Sequence, residues 1–294
     1  MSSNSKSDKV GQKRKKRAKG LSWWQRVLRW LVVLIVLCLS AVIITVCVLW
    51  WRGMLPSRAE LPRYKERLVD WLSRTDQGKM PKGEVIGIDI SHYQSHIRWN
   101  EVCFYYDRSM RMYSKPNRHT TRKEVDFVYA KATQGGHMTD SFYKRNKAGA
   151  AKLKIPFGAY HFFSTEYGAT AQARHFIKNA QLQKGDLYPV LDVEIYNDKT
   201  PNRDSIYQWL QVVEKYYGVK PIIYTNEHFY LTYFWGRKQF SSYPFWIARY
   251  GGKEPSHYHI LWQSTENGKV AGIPHAADIN VFRGSKEDLN KYRL

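Results

Sequence analysis

Tyr188-Pro189-Val190-Leu191-Asp192-Val193-Glu194 is the stretch on which the reading turns, because an apolar run of strand character closes on two carboxylates. Side chains at i and i+2 of a strand share a face and stand roughly 6.5 Å apart along the chain, so Asp192 and Glu194 can address one substrate. Two carboxylates in one cleft suit glycoside hydrolysis, where one protonates the leaving oxygen and the other stabilises or activates the attacking group. Taken alone, the triplet is more simply a strand end whose acids are solvated or paired with Lys and Arg. Its surroundings have to decide.

Outward from it, short apolar runs recur at 85–91, 127–133, 156–163, 188–194, 221–226, 243–250, 259–265 and 279–282, eight expected strands. Helical periodicity falls between the earlier ones, at about 140–153, 168–183 and 204–217, while the last connections are too short or irregular for full helices. Strand and helix alternation predicts parallel pairing, and eight strands predict closure into a barrel. The expected class is therefore α/β, a TIM-like (β/α) barrel degenerate toward the C-terminus.

In such barrels the chemistry sits at the C-terminal ends of strands. Asp192 and Glu194 are at such an end, and Asp89 closes Val85-Ile86-Gly87-Ile88-Asp89. Tyr160 and His161 lie late in the third strand, Tyr224 and Asn226 end the fifth, Trp246 and Arg249 belong to the sixth, and Gln263 follows Trp262 on the seventh. Each singly reads as a satisfied core residue; together on one rim they read as a sugar-binding cleft.

The formal charge of +22 is uneven: the first 29 residues hold ten Lys and Arg against Asp8 alone, leaving +13 for the rest. The run 31–50 carries no charged residue, and about 20 helical residues at ~1.5 Å each match a hydrocarbon core of roughly 30 Å. A single transmembrane signal anchor is expected, flanked by Trp23, Trp24, Trp30, Trp50 and Trp51, with the basic N-terminus cytoplasmic and the remainder periplasmic or extracellular. The expected domains are a basic tail at 1–30, the anchor at 31–51, a stalk at 52–82 patterned by Leu61, Tyr64, Leu68 and Leu72, and a hydrolase barrel at 83–294. Of three cysteines, Cys38 and Cys47 lie in the apolar run, so Cys103 has no partner for an intrachain disulfide beyond it. A basic, aromatic-bearing connection at about 102–124 is long for a compact domain and reads either as a wall over the cleft or as a solvated insertion.

Gly87-Ile88-Asp89-Ile90-Ser91, Asp126-Phe127-Val128-Tyr129-Ala130-Lys131-Ala132-Thr133-Gln134-Gly135 and Gly158-Ala159-Tyr160-His161-Phe162-Phe163 resemble the opening strands of glycoside hydrolase family 25, the Chalaropsis-type lysozymes. Pro189 to Glu194, Ile223-Tyr224-Thr225-Asn226, Phe245-Trp246-Ile247-Ala248, Trp262-Gln263 and Ala277-Asp278-Ile279-Asn280-Val281-Phe282 continue the likeness in order. The resemblance implies about five β/α units followed by antiparallel strands, and hydrolysis of the β-1,4 bond between N-acetylmuramic acid and N-acetylglucosamine in peptidoglycan. It implies Glu194 as general acid/base and Asp192 as the group that assists the 2-acetamido nucleophile or attacks directly. It further implies Asp89 and Asp278 as acids that tune the pair, and Tyr160, His161, Tyr224, Trp246 and Gln263 as substrate contacts. Gln134 departs from the Glu common at that place in the family, which puts one rim contact in doubt.

Crowded carboxylates repel one another, so at least one should keep its proton toward neutral pH, as a general acid requires. The sequence carries no His-Glu-x-x-His motif, no Gly-x-Ser-x-Gly elbow and no phosphate-binding glycine loop, so neither metal nor cofactor is expected. The expected partners are peptidoglycan strands and, through the N-terminal helix, the membrane; nucleic acid is not expected. A non-catalytic wall-binding module and a chitinase-like hydrolase remain the rival readings.

Overall fold

The computed structural model describes residues 23–51 and 78–294. The tail up to residue 22 and the stalk pattern at Leu61 to Leu72 lie outside the described residues. Two units result, each described by itself.

The first contains α1, Trp23–Trp51. Its two hydroxyls are absorbed by the helix itself: Ser40 Oγ donates to the Val36 carbonyl and Thr45 Oγ1 to that of Ala41, both at 2.8 Å. The expected transmembrane anchor is corrected, because among the described residues no helix is long and apolar enough to cross a membrane. The localisation built on the anchor, a single-pass inner-membrane protein with its N-terminus cytoplasmic and its catalytic domain periplasmic or extracellular, is withdrawn with it.

In the second unit eight strands close a barrel: β1 (Val85–Ile90), β5 (Val128–Gln134), β7 (Phe157–Phe162), β8 (Val190–Asp192), β9 (Ile222–Asn226), β10 (Phe245–Ala248), β11 (Leu261–Gly268) and β12 (Ala277–Phe282). Pairing is parallel from β1 through β5 and on to β11, and antiparallel only where β12 meets β11 and β1. The expected antiparallel portion is thus one strand. Connection length explains it: 249–260 is long enough for a parallel crossover even without a helix, whereas 269–276 can only turn back as a hairpin.

Helices α2 (Tyr143–Lys152), α3 (Ala169–Ala180) and α4 (Arg203–Tyr217) fill the middle crossovers. Asn202 caps α4 by accepting from the backbone N–H groups of Asp204 and Ser205, and Gly218 ends it in the left-handed conformation. The fourth crossover is irregular, with a short helix at Glu227–Phe229 running into a π-turn at Tyr230–Phe234. Between β1 and β5 no α-helix stands, only two 3-10 turns at His92–Gln94 and Trp99–Glu101. The chain builds a small antiparallel sheet there, β2 (Phe104–Tyr106), β3 (Met112–Tyr113) and β4 (Thr121–Lys123), which buries Phe104 and Met112 in the outer core. The last short strand before α2, β6 (Met138–Thr139), folds back on β5, and α5 (Lys286–Asn290) follows β12.

Strand parity separates the two cores. Ile86, Ile88, Val128, Ala130, Leu191, Ile223 and Ile247 face outward against the helices, while Val85, Phe127, Tyr129, Val190, Ile222 and Trp246 fill the barrel. A Cβ on Gly87 would stand 2.5 Å from Phe127, and one on Gly158 would stand 2.1 Å from Tyr129. These glycines make room for the two rings that floor the barrel below the site.

Candidate active site

Above that floor, the inward positions become polar. Asp89, Lys131, Tyr160, Asp192, Tyr224 and Gln263 come from six different strands and, with Phe162, Glu194, Trp246 and Asp278, line a cleft of about 230 Å³. The parity that sends Val190 into the barrel sends Asp192 to the cleft. β8 itself is only three residues long, so Glu194 lies two residues past its end. The ladder nonetheless continues, since Val193 N–H donates to the Tyr224 carbonyl at 2.9 Å. Beyond it the chain reverses at Asn197 and Asp198, both at positive φ, in a tight turn closed by hydrogen bonds between Tyr196 and Lys199.

Asp89 is the best-held acid. Its Oδ2 accepts from Gln263 Nε2 at 2.9 Å and from Asn280 Nδ2 at 2.8 Å. Each donor is itself held: Gln263 Oε1 accepts from the hydroxyls of Tyr224 and Tyr250 at 2.9 and 2.7 Å, and Asn280 Oδ1 accepts from Trp246 Nε1 at 2.9 Å. Burial raises the Asp89 pKa, and the hydrogen bonds from Asn280, Gln263 and Asp278 oppose that rise. Asp278 is pushed well up by burial and by the charge of Asp89, so it is the member of this pair that keeps a proton.

The second pair is less satisfied. Asp192 is pushed well up by burial and then by Glu194, and its Oδ1 has no hydrogen-bond partner. Glu194, partly open to the cleft, is pushed up to about 7 by burial first, then by Asp89, with Lys131 pulling the other way. Two buried carboxyls this close cannot both ionise cheaply, so at neutral pH the pair holds a proton and a charge between them. Burial also raises the phenols of Tyr160 and Tyr224 well above their ordinary range, which leaves both neutral hydroxyls.

Of the residues singled out in the sequence, Glu194, Asp192, Asp89, Asp278, Tyr160, Tyr224, Trp246 and Gln263 meet at the cleft. Two of them stand otherwise than expected. Trp246 is 2% exposed and forms the floor between Tyr129 and Tyr224 rather than an open stacking face. Gln263 spends its amide on Asp89 and two tyrosines, which makes it a strut of the site.

His161 is a correction. One residue past inward-facing Tyr160, it points the opposite way, is fully buried, and stacks on Trp209 of α4 at 5.5 Å. Gln172 uses its amide hydrogens on the carbonyls of Ser164 and Tyr167, so its Oε1 accepts from His161 Nε2, and Nδ1 accepts from Thr133 Oγ1 at 2.7 Å. Burial lowers its pKa to about 3, and the neutral ring pins β5 and β7 to α3. Between β1 and β5, Ser91, Tyr93 and Gln94 line the cleft, whereas no residue of the 102–124 insertion does.

Lys131, Asn280 and Tyr250 were not singled out. Parity would have found the first two, since Lys131 shares the inward face of Tyr129 and Asn280 that of Asp278. Tyr250 follows β10 in a loop, where no periodicity applies.

Residues 88–273 match the family model described as Glycosyl hydrolases family 25. The chain is 35% identical over 211 residues to the protein YegX of Escherichia coli (strain K12), covering 70% of this chain and 72% of that one. It is 29% identical over 227 residues to Lysozyme M1 of Streptomyces globisporus, covering 70% of each. A family 25 glycosyl hydrolase structure from Bacillus anthracis superposes with a TM-score of 0.60 at 30% identity, covering 73% of this chain and 96% of that one.

Proposed function

This chain belongs to glycosyl hydrolases family 25, and on that premise we propose that it cleaves the β-1,4 bond between N-acetylmuramic acid and N-acetylglucosamine in peptidoglycan. It is a glycoside hydrolase of the lysozyme type. The bond follows from the family and its lysozyme relatives, and the observation that carries the hydrolytic reading is the pairing of a carboxyl pushed up to about 7, Glu194, with a second buried carboxyl, Asp192, whose Oδ1 is unpartnered. The catalytic unit in this reading is the barrel domain, 83–294.

Of the pair that shares one proton, Glu194 is the member open to the cleft, so it delivers that proton to the leaving glycosidic oxygen and afterwards serves as the base for the incoming water. Asp192 offers its free oxygen to the N–H of the 2-acetamido group, so that the acetamido oxygen closes on the anomeric carbon and configuration is retained. Asp89 holds negative charge beneath the oxocarbenium-like centre, and Asp278 tunes it through their shared hydrogen bond. Tyr160 and Tyr224 supply hydroxyl donors, and Phe162 an apolar wall.

The full chain should solubilise peptidoglycan and release new reducing ends, and should act on chitin far less. Binding to peptidoglycan without release of reducing ends would favour a wall-binding module instead. Equal rates on chitin would favour a chitinase-like enzyme.

A further inference from the structure

Lys131 is a cation inside the cleft, on β5, 9% exposed. Its Nζ donates to Gln134 Oε1 at 2.6 Å and lies 4.9 Å from the centre of the Phe162 ring on β7. A buried ammonium is ordinarily held by a carboxylate in direct contact. Here the contact partner is a neutral carboxamide; burial lowers the Lys131 pKa, and carboxylates oppose that across space: Asp192 on β8, Asp140 after β6, and Glu194 just beyond β8. Asp140 is already engaged, accepting from the His92 backbone and ring and from the Phe142 backbone at 2.8–2.9 Å.

We propose that Lys131 is the electrostatic positioning residue of the cleft, its charge directed at the Asp192–Glu194 pair because its immediate partner, Gln134, carries none and cannot neutralise it. This rests on the muramidase reading above. A cation beside two coupled carboxyls favours the state with one charge and one proton over the doubly protonated state. That singly charged state is the one in which Glu194 can donate while Asp192 steadies the acetamide. The other charged groups acting on the pair are acids, Asp89 on β1 and Glu266 on β11, and Asp278 on β12 is itself acted on by Glu194. Tyr224 on β9 and Tyr250 after β10 face the pair as neutral phenols. Lys131 is the cation that offsets this acidic surround.

Gln134→Glu is nearly isosteric and keeps the hydrogen bond to Lys131, so it changes the charge and little else. The test compares the full chain with Gln134→Glu, Lys131→Met and Lys131→Arg, following release of reducing ends from peptidoglycan between about pH 4 and 9. Gln134→Glu should move both limbs of the pH profile upward by about 0.5–1 unit, and Lys131→Met should move them further the same way. Lys131→Arg should return the limbs toward their parental positions. Limbs that stay in place in both Gln134→Glu and Lys131→Met, with only the overall rate reduced, would overturn the proposal. A parental chain that releases no reducing ends would instead strike the muramidase reading, so the two failures are distinguishable.

Discussion

Asp89 and Asp278 stand directly across from one another in the antiparallel ladder between β1 and β12, in register as a pair. Asp89 lies one residue before the end of its strand and Asp278 one residue after the start of its own, yet the reversal of β12 brings both to the same rim. Their shared hydrogen bond leaves Asp278 with the proton and Asp89 with the charge, fixed by Gln263 and Asn280. The electrostatic frame around Glu194 is therefore built before any substrate arrives.

Glu194→Gln removes the transferable proton while keeping shape. Turnover should fall by about a hundred- to ten-thousandfold, with the melting curve of the protein little changed. Full activity in this variant would show that the proton comes from elsewhere.

The rate should fall as pH rises through about 7, where Glu194 loses its proton. Stability should fall as pH rises from about 4.5 through about 7. Because the folded pKa of Glu194 lies above its ordinary 4.5, the folded chain binds more protons than the unfolded one between these values, and stability decreases as pH rises. Asp192→Asn should flatten that decline and leave a protein more stable than the parent near pH 8, though inactive. Parallel melting-temperature profiles for the two would refute the assignment.

Asn280 is fully buried and links Trp246 to Asp89. Asn280→Ala should cost about 2–3 kcal/mol of stability, since it strips a donor from a charged carboxylate and orphans an indole N–H. Denaturant titration reads this directly, and kcat should fall by a larger factor than KM rises.

His161→Ala should behave as a structural lesion. Loss of the ring from between Trp209, Thr133 and Gln172 should lower stability by about 3 kcal/mol, while the folded fraction keeps the parental KM. A large rise in KM without loss of stability would return His161 to the substrate contacts.

How far the chain could be read in advance depended on periodicity. The short apolar runs made the barrel strands legible, and the 3.6 period located α2, α3 and α4 to within a few residues. The direction of β10 and β11 was not legible from propensity, because a connection without a helix still crosses over if it is long enough. At the site, Asp89, Asp192 and Glu194 showed as acids at the ends of apolar runs. His161 misled because neighbours on a strand face opposite ways, and Lys131 was passed over because an isolated lysine in a strand resembles a solvated one. The insertion at 102–124 gave no sign that it replaces a crossover helix, since its two buried anchors, Phe104 and Met112, are separated by a turn.

The most direct test is mass spectrometry of the fragments that the full chain releases from purified peptidoglycan. The account predicts fragments whose reducing terminus is N-acetylmuramic acid, absent from digests with Glu194→Gln. Fragments ending in reducing N-acetylglucosamine, or no fragments at all, would contradict it.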